Sequence, residues 1–504
     1  MIRSIYFRLN FIIKKFYIKE VIDKNCLSEI RKIWDNLNKT YFEEFDYNLL
    51  VIENIDKSLN QYIRQFLLRL NFINGYLFFC KSKNIKFVYP LPNKMLKIID
   101  QSGFRVNFFL SRLLWILLII SNIFYSLFLF IYFLIRIFLT NFEKKKTENK
   151  FDFCFPNLNP IGQITNINKW INNQYQIQNF NLYFSEKSAI LANIKKFSYI
   201  KFTAWFLKSF SFSITKLLTL RWYNIFLLPE SIKAAVVKYS EYEYPKKNIY
   251  LWINNIYRPI WTIVKSDNRY DTTLIYGGSF DEILLNGKSN FEPDWIGTEI
   301  CTWDKHLVLD NQHQKFIHQK YSIKIKSEII KKPLLLSTEK IKVDLPEKYI
   351  AVFAYENNKI NLGIGSYTDY EYSSGRKYIH GKLIFDFYND LLDICKKNQI
   401  ILLTKRKRKS KISLKLVDTF FKNLNKDKNF LEVDHRSDVM KIIENSKGCI
   451  SLPITSTAML AREANIPSAF YDPYNWINKN DPSLSNIDVF DYEKLNNWIK
   501  KINI

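Results

Sequence analysis

From Tyr349 onward the chain alternates short apolar runs with amphipathic stretches, and this rhythm constrains the fold more than any other feature. Tyr349 to Tyr355, Ile400 to Thr404, Phe430 to Val433, Gly448 to Leu452 and Ser468 to Tyr471 read as strands. Between them, Lys382 to Lys397, Ser413 to Leu424, Ser437 to Asn445 and Ser456 to Asn465 carry apolar residues at helical spacing. Short buried-type strands separated by helices predict a parallel sheet with right-handed crossovers. Such sheets bind ligands outside the carboxyl ends of their strands, so the loops that follow the strands are where chemistry is expected.

A chain of 504 residues is long enough for two or three domains, and 47% hydrophobic residues supply a sizeable core. Only 12 Gly and 14 Pro exclude fibrous and low-complexity classes. The net charge of +26 is spread along the chain, alongside Lys, Asn and Ile in abundance, as an AT-rich coding genome produces. It favours anionic lipid headgroups or phosphorylated substrates over nucleic acid, which needs a focused stripe. The six cysteines stand far apart with no CxxC pair, which predicts reduced, buried thiols and no zinc. Arg and Lys interrupt the apolar stretch from Met1 to Glu20, so it does not read as a secretory signal.

No residue from Leu113 to Ile135 is charged, while Arg112 and Arg136 close the two ends. About 20 apolar residues suffice for a bilayer-crossing helix. Ser121-Asn122 interrupts the run and leaves a hairpin lying in the membrane plane as the other expectation. Upstream, residues 1–104 form an N-terminal region, mostly helical or α/β, without a recognisable chemical motif.

Ser451-Leu-Pro-Ile-Thr-Ser-Thr457 follows the strand at Gly448 and opens the helix Ala458-Met-Leu-Ala-Arg-Glu-Ala464. Hydroxyls at a helix start cap free backbone N–H groups. The same groups can hold a phosphate. Pro453, Thr455, Ser456 and Thr457 are the candidate phosphate contacts, and Glu463 is placed to meet ribose hydroxyls.

With these residues, the downstream Pro467-Ser-Ala-Phe-Tyr-Asp-Pro473, the stretch Ile256-Tyr-Arg-Pro-Ile-Trp-Thr262 and the strand Tyr349-Ile-Ala-Val-Phe353, the chain resembles a family of polysaccharide-biosynthesis proteins named for a Pro-Phe-Thr-Ser motif. Ile454 stands where the family name has Phe, and Thr262-Ile-Val-Lys265 departs from the family's continuation. The resemblance covers roughly the last half of the chain, from Asn248 to Pro473. It implies an α/β protein with two Rossmann-like domains of GT-B type, to which the residues upstream add an N-terminal extension and one membrane-associated hydrophobic segment. The expected boundaries are 1–104, 105–142 for the membrane segment, 150–340 for the acceptor-side domain, 341–480 for the nucleotide-sugar domain and 481–504 for a C-terminal helix.

The implied activity is transfer of a sugar from a nucleotide sugar to a glycan or lipid-linked acceptor, in bacterial lipopolysaccharide or capsule assembly. Asp267-Asn-Arg-Tyr-Asp271 has the wrong spacing for a metal-binding DxD pair, so the transfer is expected to be metal-independent. The work would be done at the cytoplasmic face of the inner membrane, with no cofactor beyond the nucleotide-sugar co-substrate. The alternative is a non-catalytic, membrane-anchored partner in the same assembly. Lys405 and Arg406, at the end of the strand at Ile400, are candidates for donor phosphates or a sugar carboxylate, which fits a CMP-linked acidic sugar. His435, after the strand at Phe430, is a further donor contact, and Arg258 with Trp261 is a candidate acceptor contact. Inverting transfer needs a base for the acceptor hydroxyl. Asp281 and Glu282, in Gly277-Gly-Ser-Phe-Asp-Glu282, are the first candidates, with Asp304 and His306 as alternatives.

Overall fold

The computed structural model describes residues between 77 and 503, except 141–150, 156–163, 243–246, 254–257, 265–269, 276–302, 321–325, 331–342, 354–380, 407–414, 452–456, 480–486 and a few shorter gaps. In chain order its elements are α1 (Asn93–Gln101), α2 (Phe108–Thr140), β1 (Phe151–Cys154), α3 (Ile164–Tyr175), β2 (Asn181–Tyr183), α4 (Glu186–Leu191), β3 (Ile194–Phe197), α5 (Tyr199–Leu218), α6 (Tyr223–Lys238) and β4 (Ser240–Tyr242). There follow β5 (Lys247–Ile253), a 3-10 turn (Ile260–Thr262), β6 (Tyr270–Ile275), β7 (Lys305–Val308), α7 (Asn311–Lys320) and β8 (Lys326–Ile329). The last part holds β9 (Tyr349–Phe353), α8 (Gly381–Lys397), β10 (Ile401–Lys405), α9 (Lys415–Leu424), β11 (Phe430–Val433), α10 (Val439–Glu444), β12 (Gly448–Ser451), α11 (Thr457–Glu463), β13 (Ser468–Tyr471), β14 (Asp488–Phe490) and α12 (Tyr492–Ile502).

Two six-stranded sheets organise these elements, and among the described residues neighbouring strands within them pair in parallel. The first has the order β2-β1-β5-β6-β7-β8, and the second β11-β10-β9-β12-β13-β14. The expectation of an α/β chain with parallel sheets is met, strand by strand, from Tyr349 to Tyr471. The cause is visible in β9, where all five residues of Tyr349-Ile-Ala-Val-Phe are buried, as a strand covered by helices on both faces requires. β14, a short edge strand beyond β13, is an addition to the strands anticipated.

In the second sheet the chain steps outward from β9 to β10 and β11, then returns to β12 on the other side of β9. Relative to its own six strands this is the order 3-2-1-4-5-6, and its switch point lies between β9 and β12. α12 packs on α8, where the Asn398 amide donates to Asn496 at 2.9 Å. It also covers Gly448 at the start of β12: a Cβ there would stand 2.6 Å from Ile502 Cδ1 and 3.0 Å from the Trp498 ring. Only a glycine lets the helix come this close.

The apolar run folds as one unbroken helix, α2, from Phe108 to Thr140, so Ser121-Asn122 does not break it into a hairpin. Asn122 is fully buried and its side-chain amide donates to the carbonyl oxygen of Ile225 in α6. Pro229, four residues on, has no N–H to give that carbonyl, so an amide from the neighbouring helix takes its place. α2 rests on α6 through Trp115, which stacks on Phe226 with centroids 5.2 Å apart, and on α5 through Phe130, which stacks on Phe206 at 3.9 Å.

α6 is buried from Tyr223 to Val237, including two charged residues. Lys233 Nζ lies 2.6 Å from Glu230 and 2.5 Å from Glu186 of α4. Burying charges is costly unless each is paired, and here one ammonium serves two carboxylates. Those two carboxylates hold its pKa above the ordinary lysine value, against the burial that would lower it.

Candidate functional site

The carboxyl ends of β9 and β12 meet at the switch point of the second sheet, and Ser451 is the last residue of β12. Ser451 is fully buried and its hydroxyl lies 2.7 Å from that of Thr457, the first residue of α11. The two hydroxyls stand at either end of segment 451–457. Pro453, Thr455 and Ser456 lie between them in sequence, outside the described residues. The Cys449 thiol reaches toward the Thr457 carbonyl at 3.8 Å. Cys449, like Cys80, Cys154 and Cys395, is a buried thiol outside any disulfide.

The neighbouring strand ends bring polar groups to the same edge. Thr404, near the end of β10, is fully buried and donates to the Val352 carbonyl of β9 at 3.0 Å. Asp472, directly after β13, is also buried, and its backbone N–H donates to Phe490 at 2.8 Å. The edge therefore ends in buried hydroxyls bonded within the protein, with the Asp472 carboxylate beside them.

The other predicted donor contacts are placed as follows. Lys405 is the partly exposed last residue of β10. Arg406 pairs with Glu432 of β11, and its guanidinium lies 5.3 Å from the Phe421 ring centroid. His435 has Nδ1 3.2 Å from Asp434, whose carboxylate is held well below its ordinary pKa by the Arg436 guanidinium and backbone N–H. Glu463 is half-exposed and lies 2.9 Å from Arg462, its neighbour in α11.

Arg462 in turn reaches the first sheet. Its Nη2 stands 2.6 Å from Asp310, just past the carboxyl end of β7. Asp310 also caps α7, accepting from the His313 backbone N–H at 2.7 Å. This link joins the carboxyl edge of one sheet to the motif helix of the other across 152 residues of sequence. No motif announced it; the only local signal was an Asp at the start of a helix, an N-cap.

Arg258 and Trp261 stand elsewhere. Trp261 is fully buried among the residues of α6, and Arg258 is pinned 2.6 Å from Asp304. Asp304 immediately precedes β7 and accepts from the Thr272 N–H and hydroxyl, so this cluster lies at the amino edge of the first sheet. A parallel sheet offers its ligand crevice at the opposite edge, so the geometry gives Arg258, Trp261 and Asp304 a structural part. His306 is fully buried within β7, and burial, with the charge of His318, lowers its pKa to about 3. Asp281 and Glu282 lie outside the described residues.

Residues 206–499 match the family described as polysaccharide biosynthesis PFTS motif protein. Among solved structures, the chain resembles a Medicago truncatula protein complexed with UDP-glucose, at a TM-score of 0.33 and 9% identity, over 69% of this chain and 82% of that one. It also resembles a UDP-glucosyltransferase from Polygonum tinctorium capable of glucosylating indoxyl, at a TM-score of 0.33 and 9% identity, over 68% and 82%. No curated protein matches the chain.

Proposed function

Because the chain belongs to the polysaccharide biosynthesis PFTS motif protein family, we propose that it is a glycosyltransferase of bacterial surface-polysaccharide assembly, with two Rossmann-like domains of GT-B type. It takes a sugar from a nucleotide-sugar donor and passes it to a glycan or lipid-linked acceptor at the cytoplasmic face of the inner membrane. The observation that carries this reading is the position of the family's own motif: turn 451–457 stands at the carboxyl end of β12, beside β9, where the strand order of the second sheet reverses. That is where an open parallel sheet binds a nucleotide.

In this reading the donor phosphates meet the amides and hydroxyls of Thr455, Ser456 and Thr457. The Ser451–Thr457 hydroxyl contact ties the end of β12 to the start of α11. Lys405, the partly exposed cation at the end of β10, adds charge toward the phosphates or a sugar carboxylate. The acceptor enters from the side of the first sheet, whose carboxyl edge is tied to α11 by Asp310 and Arg462.

Calorimetric titration of the purified chain with CMP, UDP, GDP and their sugar conjugates tests this. One nucleotide should bind, and a Thr455→Ala/Ser456→Ala/Thr457→Ala chain should bind it about ten- to a hundredfold more weakly, the loss of one or two charge-assisted hydrogen bonds. Unchanged affinity in that variant would move the donor away from the turn. If no nucleotide binds the native chain, the transferase reading fails and a non-catalytic partner in assembly takes its place.

A further inference from the structure

We propose that the outer face of α2, with the adjoining flank of α5, lies flat in one leaflet of an anionic membrane and moors the two sheets beside it. α2 has two unlike faces. From Ser111 to Ile137, at spacings of three and four residues, one face is buried against the rest of the chain. The other carries Phe109, Ile116, Phe124, Phe128, Ile131 and Phe138, exposed by 76, 52, 66, 57, 51 and 56%. At 33 residues the helix is about 50 Å long, and the exposed stripe runs nearly all of it. An apolar patch of this extent on a folded surface marks an interaction site.

α5 widens the patch. Its Phe206 stacks on Phe130 of α2. From Phe206 the helix surface steps through Phe210 to Ile214, with Leu207 and Ile200 alongside, and the last three are exposed by 36, 58 and 85%.

The occupant follows from charge and geometry. Neither α2 nor α5 carries an acidic residue, while exposed Arg112, Arg136, Lys201 and Lys208 border the apolar surface. Lys187 sits at its rim, 4.4 Å from the Tyr132 ring centroid. Among the described residues, an apolar face whose two helices carry cations and no acidic residue fits acyl chains beneath anionic headgroups.

A transmembrane setting is disfavoured by what lies behind the helix. Tyr125, halfway along, is close enough for the charges of Lys233, Glu230 and Glu186 to act on its hydroxyl. Were α2 to cross the membrane, its middle would sit at the bilayer centre and draw this ion triad and the adjoining sheet into hydrocarbon. Charges and irregular backbone are not tolerated there. Lying flat, the helix puts one face about 5–10 Å into the headgroup boundary and leaves the sheets in water.

Flotation of the full chain with phosphatidylcholine vesicles, with and without about 30% phosphatidylglycerol, tests the mooring. Binding is expected to be about tenfold greater on the anionic vesicles, to weaken in high salt, and to fall in Phe124→Ser/Phe128→Ser and in Lys201→Glu/Lys208→Glu. The lysines are exposed and outside the core, so the second variant stays folded even where the first does not; the melting temperature of each reports this. Depth-dependent quenching of a fluorophore on Phe109→Cys, Phe124→Cys and Phe138→Cys, with the native chain as labelling blank, then reads orientation. Equal shallow depths support the flat setting, and a middle position far deeper than the ends overturns it. No flotation with either vesicle also overturns it and assigns the face to protein. Nucleotide titration is separate, so a chain that binds donor but no vesicle loses only the mooring.

Discussion

The side-chain amide of Asn122, in the middle of α2, satisfies the carbonyl of Ile225 that Pro229 leaves without a helical partner. This one buried amide thus ties α2 to α6 at a defined register. Asn122→Leu should destabilise the chain by about 1–3 kcal/mol, the cost of an unsatisfied buried carbonyl. With Pro229→Ala the helix supplies its own N–H, so the same substitution should cost markedly less. A double-mutant cycle on unfolding free energy measures the coupling, and additive effects would remove Asn122 from this role.

Gly448→Ala should cost about 1–3 kcal/mol, because the new methyl would press on Ile502 at 2.6 Å and on Trp498 at 3.0 Å. Ile502 is the nearer contact and the shorter side chain. Ile502→Ala in the same chain should recover part of the loss in thermal melts.

Stability should fall below neutral pH for a reason unrelated to carboxylates. Burial lowers the pKa of His306 to about 3 and of His313 to about 4, although Asp310 opposes the shift at His313. The His313 Nδ1 accepts from the Leu309 N–H at 3.1 Å, which also requires the neutral ring. Both stay neutral in the folded chain while the unfolded chain takes up protons near pH 6.5. Their contribution is therefore complete above about pH 6.5 and is lost as pH falls toward 4 and 3, by about 1.4 kcal/mol per pH unit for each ring. Denaturant titrations at pH 7.5, 6 and 5 should show this slope, and His306→Leu should halve it.

Breaking the Asp310–Arg462 link should cost about 1 kcal/mol, since Arg462 remains 32% exposed and water screens the pair. The larger effect should be on ligand binding. Arg462→Leu frees α11 from the first sheet, so nucleotide affinity should fall several-fold, while Lys494→Leu, a distant exposed cation, leaves it unchanged. Equal titrations for the native and Arg462→Leu chains would reduce the link to a structural contact.

The second sheet was readable because each of its strands is an uninterrupted apolar run and each helix has a clean face. β9 and β12 were placed to within a residue or two at their ends. What could not be read was adjacency. Whether β12 returns beside β9 depends on the crossover, and Arg462 meeting Asp310 depends on how the two sheets face each other. Arg258 and Trp261 are candidate acceptor contacts by sequence, yet Arg258 pairs with Asp304 and Trp261 is buried against α6. Asp304, which holds Arg258, also meets Thr272 before β7, and register of that kind leaves no local mark. Asn122 stood out as a break in an apolar run; its partner, a carbonyl freed by Pro229 in another helix, did not.

The position of β12 also sets an order of events during synthesis. β9, β10 and β11 leave the ribosome as a three-strand fragment whose strand β9 has one edge unpaired until β12 follows, about a hundred residues after β9 begins. An apolar strand with an open edge is a template for pairing with another chain. The turn that closes the candidate site is thus made by the same strand that covers this hazard, and a nascent chain halted before Gly448 should be prone to aggregate.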